Sequence, residues 1–291
     1  MKLLIKFNLV FAAIFALGLA AAGYISWSLL QRNAQDEIAG NARLMMEAAL
    51  STRSYTSKQI APLLQTQMKY AFLPQSVPAF SATEVFEGMR DKFPEYTYKE
   101  AVLNPTNPRD RVVEWEADIV HQFRSKNQNA GEIVGTRETP LGGSFYVARP
   151  IRISDPKCLV CHSTPEAAPV TMVERYGPSN GFGWQQDEIV GAQIISVPTS
   201  VPLQRASEAF RVFMLSITAV FAAIGVALNL MLTILVLRPV ARLSALADRV
   251  SRGDMEAPEF SVAGRDEIGT LAGSFNRMRK SLAQAMKMLE T

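Results

Sequence analysis

The sequence predicts an α+β domain held between two membrane-spanning helices, followed by a pair of amphipathic helices. Three observations carry this. Two long apolar runs contain no charge, the stretch between them reads as helices first and antiparallel strands after, and apolar residues recur at three- and four-residue steps beyond the second run. Composition agrees: 291 residues with a net charge of +3, 48% hydrophobic residues and a mean hydropathy of +0.07 are apolar for a soluble protein of this size and point to a lipid-bilayer component.

The first run, "FNLVFAAIFALGLAAAGYISWSLL" from Phe7 to Leu30, exceeds the roughly 20 residues a helix needs to cross a bilayer. Lys2, Lys6 and the small residues of "LAAAG" also suit a cleaved signal peptide. The apolar character continues through Tyr24, Ile25, Trp27, Leu29 and Leu30, which favours an uncut anchor with Tyr24 and Trp27 at the outer interface. "NARLMMEAALSTRSYTSKQIAPLL" then reads as a helical stalk as far as Pro62. "TEVFEGMRDKF" and "RVVEWEADIVHQFR" read as further helices. "GEIVGTRET", "SFYVARPIRI" and "EIVGAQIISVPTSV" read as strands, with "PLGG" as the hairpin turn between the first two.

Between the last two strands lies "DPKCLVCHSTPEAAP", residues 155–169, which holds both cysteines and one of the two histidines. Cys-x-x-Cys-His is the spacing of c-type haem attachment: Cys158 and Cys161 add across the vinyl groups and His162 ligates the iron. A disulfide or redox pair and a zinc site are the alternatives. A redox motif would open a helix after a strand, whereas Pro156 and "STPEAAP" make both flanks loop-like. A zinc site would need a fourth ligand, and His121 is the one other histidine.

The second run, "VFMLSITAVFAAIGVALNLMLTILVL" from Val212 to Leu237, is likewise uncharged. Asn229 inside it is expected to be a helix-contact residue, with a contact between subunits as one option, or a passive polar residue. Lys2 and Lys6 before the first span and Arg238, Arg242, Arg249 and Arg252 after the second place both termini in the cytoplasm. The expected organisation is therefore helix 7–30, an external domain 31–211, helix 212–237 and a cytoplasmic segment 238–291 in a bacterial inner membrane. This puts the cysteines outside the cytoplasm, where haem attachment takes place.

Iron needs a second axial ligand and haem propionates need cations. His121 falls nearly opposite the side formed by Val112, Glu116, Ile119, Val120 and Phe123 at about 100° per residue, so it reads mainly as a solvated side chain. Met45, Met46, Met68 and Met172 offer thioethers, although methionine commonly fills core gaps, and an open position for a gas is the other option. Strand alternation puts Arg149 on the face of Val147 and Ile151, where it would pair with a propionate or an acidic side chain. Trp184 would pack on the porphyrin or in the core.

In the tail, Leu243, Leu246 and Val250 mark one helix. "GDMEAPEFSVAG" breaks the pattern, and Ile268, Leu271, Phe275, Met278, Leu282, Ala285 and Leu289 mark a second. Such seams need partners, and a parallel homodimer would give a four-helix bundle; helices lying on the membrane are the alternative. "RP" directly after the second span, the Gly253-Asp254 connector start and "RDEIG" with Asp266, Glu267 and Gly269 resemble a HAMP linker. That resemblance implies relay of motion from a transmembrane helix to an output module. No output module precedes Thr291, so a cytoplasmic signalling partner, or a shortened receptor, is expected.

The order of stalk helix, "FLPQSVPAF", "YTYKEAVLNPTNPRD", "ARPI", Cys-x-x-Cys-His and "GFGW", over about residues 35–205, resembles a family of periplasmic haem-c sensor domains catalogued as a domain of unknown function. The resemblance implies a PAS-like fold, haem binding and a place upstream of HAMP and signalling modules. The expected function is transmission of a redox or small-gas signal across the membrane, the alternative being a membrane-tethered cytochrome that only carries electrons. No nucleophile–base pair, phosphate loop or basic nucleic-acid patch stands out, so neither an enzyme nor a nucleic-acid partner is expected.

Overall fold

The computed structural model describes residues 3–125, 131–254, 256–260 and 266–289. Lys2, Met255, residues 261–265 of the tail connector and the side chain of Leu289, all used in the sequence reading, lie outside the described residues. The chain divides into two compact units, Ser26–Phe210 and a second made of Met1–Ile25 with Arg211–Thr291.

In the first unit, four antiparallel strands form one sheet in the order β1-β4-β3-β2, with β1 Thr97–Val102, β2 Ile133–Thr139, β3 Gly142–Arg152 and β4 Ile189–Pro198. Three of them match the sequence reading; β1 does not, because Lys99 and Glu100 sit in its middle. The β2–β3 hairpin closes where "PLGG" predicts it. Gly142 takes a φ of +106°, and the Thr139 hydroxyl accepts from Leu141 N at 3.2 Å and donates to Gly142 O at 2.7 Å. Central β4 is buried at every position, since both faces of the sheet are covered.

Alternation decides which residues meet which cover. On one face Tyr98, Val147, Ile195 and Val197 pack under Ile38, Ala42, Met46 and Ala49 of α1 (Leu3–Tyr55) and Ala82 and Phe86 of α3 (Pro78–Arg90). On the other, Ala101, Ala148, Ala192 and Ile194 meet Ile119, Val120 and Phe123 of α4 (Glu114–Ser125). Burying a side chain such as Val147, Met46 or Ile195 contributes roughly 1.5–3 kcal/mol each.

The stalk does not stop at Pro62. A π-helical turn, Thr56–Ile60, leads without a break into α2, Ala61–Met68, and so carries the helix past Pro62, which has no N–H to donate to the preceding turn.

In the second unit, the apolar part of α1 and α7 (Ser200–Met231) give the chain two helices long and apolar enough to cross a membrane. Phe15 and Phe221 meet with ring centroids 4.4 Å apart. Asn229 does contact another helix, and within the chain: Asn8 Nδ2 donates to its Oδ1 at 2.9 Å, and its own Nδ2 donates to Asn8 Oδ1 at 2.8 Å and to Gly225 O at 2.9 Å. A second π-helical turn, Leu232–Leu237, precedes Pro239 and opens α8, Arg238–Ser251. α9 spans Glu267–Leu289, and Leu243, Phe260 and Ala272 form the apolar contact between the tail elements with Leu246 and Phe275 against it. Asn276 holds Phe260 through both its backbone N (3.1 Å) and O (2.9 Å).

Candidate functional site

The excursion from Ile153 to Glu188 between β3 and β4 carries the Cys-x-x-Cys-His stretch. It is pinched at its base by Ile153 N donating to Glu188 O and Asp187 N donating to Ile153 O, both at 2.9 Å. Its sequence reads as loop, yet the motif is helical. Asp155 accepts from Lys157 N at 2.9 Å and so caps a 3-10 turn, Pro156–Cys158, which runs into the single turn α5, Leu159–His162. Cys158, Cys161 and His162 thus fall within about one and a quarter helical turns, at positions that share a helix face. Both thiols are free and partly exposed. Cys158 packs against Val102, Ile153 and Val190, whereas Cys161 packs against Phe72, Ala168 and Met172. Burial pushes both thiols above the ordinary cysteine pKa; at Cys158 Asp155 adds to the rise and the charge of Arg53 opposes it.

His162 is held from three sides. Its Nδ1 lies 2.7 Å from Gly181 O and 3.5 Å from Thr106 Oγ1, and its ring stacks on Trp184 with centroids 3.9 Å apart and planes 15° from parallel. A hydrogen bond from Nδ1–H to the Gly181 carbonyl assigns the proton to that nitrogen and leaves the Nε2 lone pair for a ligand. Burial holds the imidazole pKa below its ordinary value, while the bond to Gly181 acts in the opposite sense. The backbone repeats the tie, with Trp184 N donating to His162 O at 3.2 Å and Gly183 N to Ser163 O at 2.8 Å.

Two residues that composition and spacing do not single out position this loop. Asn104 Oδ1 accepts from Gly181 N at 3.3 Å and its Nδ2 donates to Phe182 O at 3.3 Å, so one amide reads both backbone groups of the "GFGW" turn. Thr106 sits against Gly181, whose φ is +86°; a Cβ there would lie 2.8 Å from Thr106 Cα. Turn chemistry in "NPTNPRD" and the paired glycines was the available signal.

The structure stacks His162 on Trp184 and packs Trp184 in the cluster that holds Cys158, whereas Cys161 packs in a separate one. Arg149 pairs with Glu47 Oε1 at 2.7 Å and Glu132 Oε2 at 3.5 Å, the acidic-partner option of the sequence reading. His121 is exposed. Met45 and Met46 belong to the α1 face of the sheet, whereas Met68 and Met172 lie in the cluster that includes Cys161. Among the described residues no three His, Cys, Asp or Glu side chains are grouped so as to hold a metal ion.

Comparison with known proteins matches residues 31–198 to the Tll0287-like family and residues 231–284 to the HAMP domain. The heme sensor protein HssS of Staphylococcus aureus, from strains JH9 and Newman, is 37% identical over 79 residues, which is 27% of this chain and 17% of that protein. The chain thus aligns with about a sixth of the length of these curated relatives. The crystal structure of the cyanobacterial heme-protein Tll0287 is 17% identical, covering 56% of this chain and 95% of that one with a TM-score of 0.43.

Proposed function

The chain belongs to the Tll0287-like family and carries a HAMP domain after the family domain, and from that premise we propose a two-pass membrane sensor. In this reading residues 31–211 form a periplasmic domain with covalently attached haem c, helices 7–30 and 212–237 cross the inner membrane, and residues 238–291 pass a redox or small-gas signal to a cytoplasmic partner. The similarity to HssS, a heme sensor protein, supports the cofactor class.

The observation that carries the reading is the hydrogen bond between His162 Nδ1 and Gly181 O. It prepares the one nitrogen an iron ligand needs, one residue beyond a thiol and four beyond the other. The residues fit the group: two unbonded, partly exposed thiols flank one helical turn, and apolar clusters lie on either side. Bound haem would supply one-electron chemistry and, with an open axial position, gas binding. The protein's own residues do the rest. Cys158 and Cys161 would hold the porphyrin edge, Gly181 and Trp184 fix the imidazole plane, and Asn104 fixes Gly181. Arg149 is assigned to a propionate only if that acid displaces Glu47 or Glu132. Relay has a short covalent path, because β4 ends at Pro198 and α7 begins at Ser200.

Purified protein should carry a haem stain that survives denaturation and vanishes in the Cys158→Ser, Cys161→Ser variant. A colourless protein from a host that matures c-type cytochromes would refute the reading.

A further inference from the structure

The second axial position is where the sequence leaves four methionines and an open site in competition, and the folded chain separates them. Met45 and Met46 pack with Val147, Ile195 and Phe86, in a cluster that contains neither motif cysteine. Met172 is 2% exposed and packs in the Cys161 cluster with Phe72 and Ala168, as a gap-filling methionine does. Met68 differs. It packs against that same cluster, is partly exposed, and its sulfur is oriented by a polar contact: Leu73 N donates to Sδ at 3.1 Å. Ser76 Oγ also lies 3.4 Å from Sδ, but its single proton is directed to Leu73 O at 2.7 Å. One sulfur lone pair is therefore engaged and the other is free.

A gap-filling methionine is chosen for adaptability and has no need of a fixed sulfur. Met68 is held at both ends, because Thr171 Oγ1, from the α6 helix (Val170–Tyr176) that follows the motif, donates to its backbone carbonyl at 3.0 Å. The residue is thus tied to the segment that bears His162.

Resting on the haem reading above, we infer that Met68 Sδ is the second axial ligand, giving His162/Met68 coordination. The thioether is a neutral soft donor, so ligation moves no proton, and a His/Met pair raises the potential relative to His alone. A gas would then bind only by displacing Met68, which makes the methionine the residue that decides between redox and gas sensing.

The test uses the full-length haem-loaded protein in detergent. Wild type should show the sulfur-to-ferric-iron charge-transfer band of His/Met haem. Met68→Leu, a swap of nearly equal volume, should lose that band, lower the midpoint potential and speed carbon monoxide binding to the ferrous form at least tenfold. Met68→His should give a bis-imidazole spectrum, and Met172→Leu should keep the wild-type spectrum. Covalent haem whose band, potential and carbon monoxide rate are unchanged in Met68→Leu would overturn the inference while leaving the haem reading intact. Absence of covalent haem in wild type would overturn both.

Discussion

Gly181 is the most constrained position at the site, because three demands meet there: a positive φ, a carbonyl aimed at His162 and the side chain of Thr106 in contact. Gly181→Ala should destabilise the domain by roughly 1–3 kcal/mol, read as a lower midpoint in chemical denaturation, and should weaken haem retention through loss of the imidazole's orientation. Asp110 offers a second test. Burial, reinforced by Glu100 and opposed by Arg109 and Lys99, pushes its pKa from 3.8 up to about 6. A raised carboxyl pKa means the folded chain holds this proton more tightly than the unfolded one. The stabilising contribution is complete below the ordinary carboxylate range and is lost as pH rises through about 6. Asp110→Asn should therefore be more stable than wild type at pH 7 by roughly 1–3 kcal/mol and flatten the loss of stability between pH 4 and 6. Unfolding midpoints across that range check it. Cys158, Cys161 and His162 stand out as a unit by spacing alone, which is that of the c-type haem signature. Asn104 and Thr106 were not, since nothing local says that a turn after one strand grips a turn before another.

Among the elements, α1 is locked to the sheet by charges of opposite order. The register sets Glu100 of β1 beside Gln193 of β4 and Gln193 beside Arg149 of β3. α1 answers with Arg53 on Glu100 and Glu47 on Arg149. Glu100 is buried and also receives the Tyr98 hydroxyl, which Gln193 Nε2 approaches at 3.5 Å. Burial by itself would lower the Arg53 pKa, but Glu100 and Tyr98 more than offset that and hold the guanidinium charged. Glu100→Ala would leave a cation with a quarter of its side chain exposed and no counter-charge. It should cost roughly 3–5 kcal/mol, whereas Arg53→Met with Glu100→Leu should cost far less. A double-mutant cycle on denaturant midpoints measures the difference. This band explains why β1 was missed: "TYKEAV" reads poorly as a strand until Arg53, distant in sequence, neutralises its central acid. Likewise, the motif's helical turns depend on the Asp155 cap, against flanks whose prolines suggest coil.

At the scale of the whole molecule, the two helices long and apolar enough to cross a membrane are joined by a reciprocal amide pair. Asn8→Leu would strand Asn229 in an apolar surrounding and should weaken the helix contact by roughly 0.6–2 kcal/mol, while the Asn8→Leu, Asn229→Leu double variant should recover part of it. Cross-linking between cysteines placed along both helices, or unfolding in detergent, reports the change. Within one chain Leu271, Met278 and Leu282 remain 50%, 60% and 45% exposed, which suits pairing with a second copy. A cysteine at Leu271 should cross-link between subunits at rates that differ at least twofold between oxidised and reduced protein; equal rates would favour an electron carrier. The long apolar helices and the tail seams could be read directly from the chain, because hydropathy over a helix length and three-to-four periodicity are local properties carried by neighbouring residues. The strand with a buried acid, the partner of Asn229, the hydrogen bond at His162 and the separate packing of the four methionines emerged only on folding. Each depends on which distant group supplies a counter-charge, a carbonyl or a donor, and linear order does not encode those meetings.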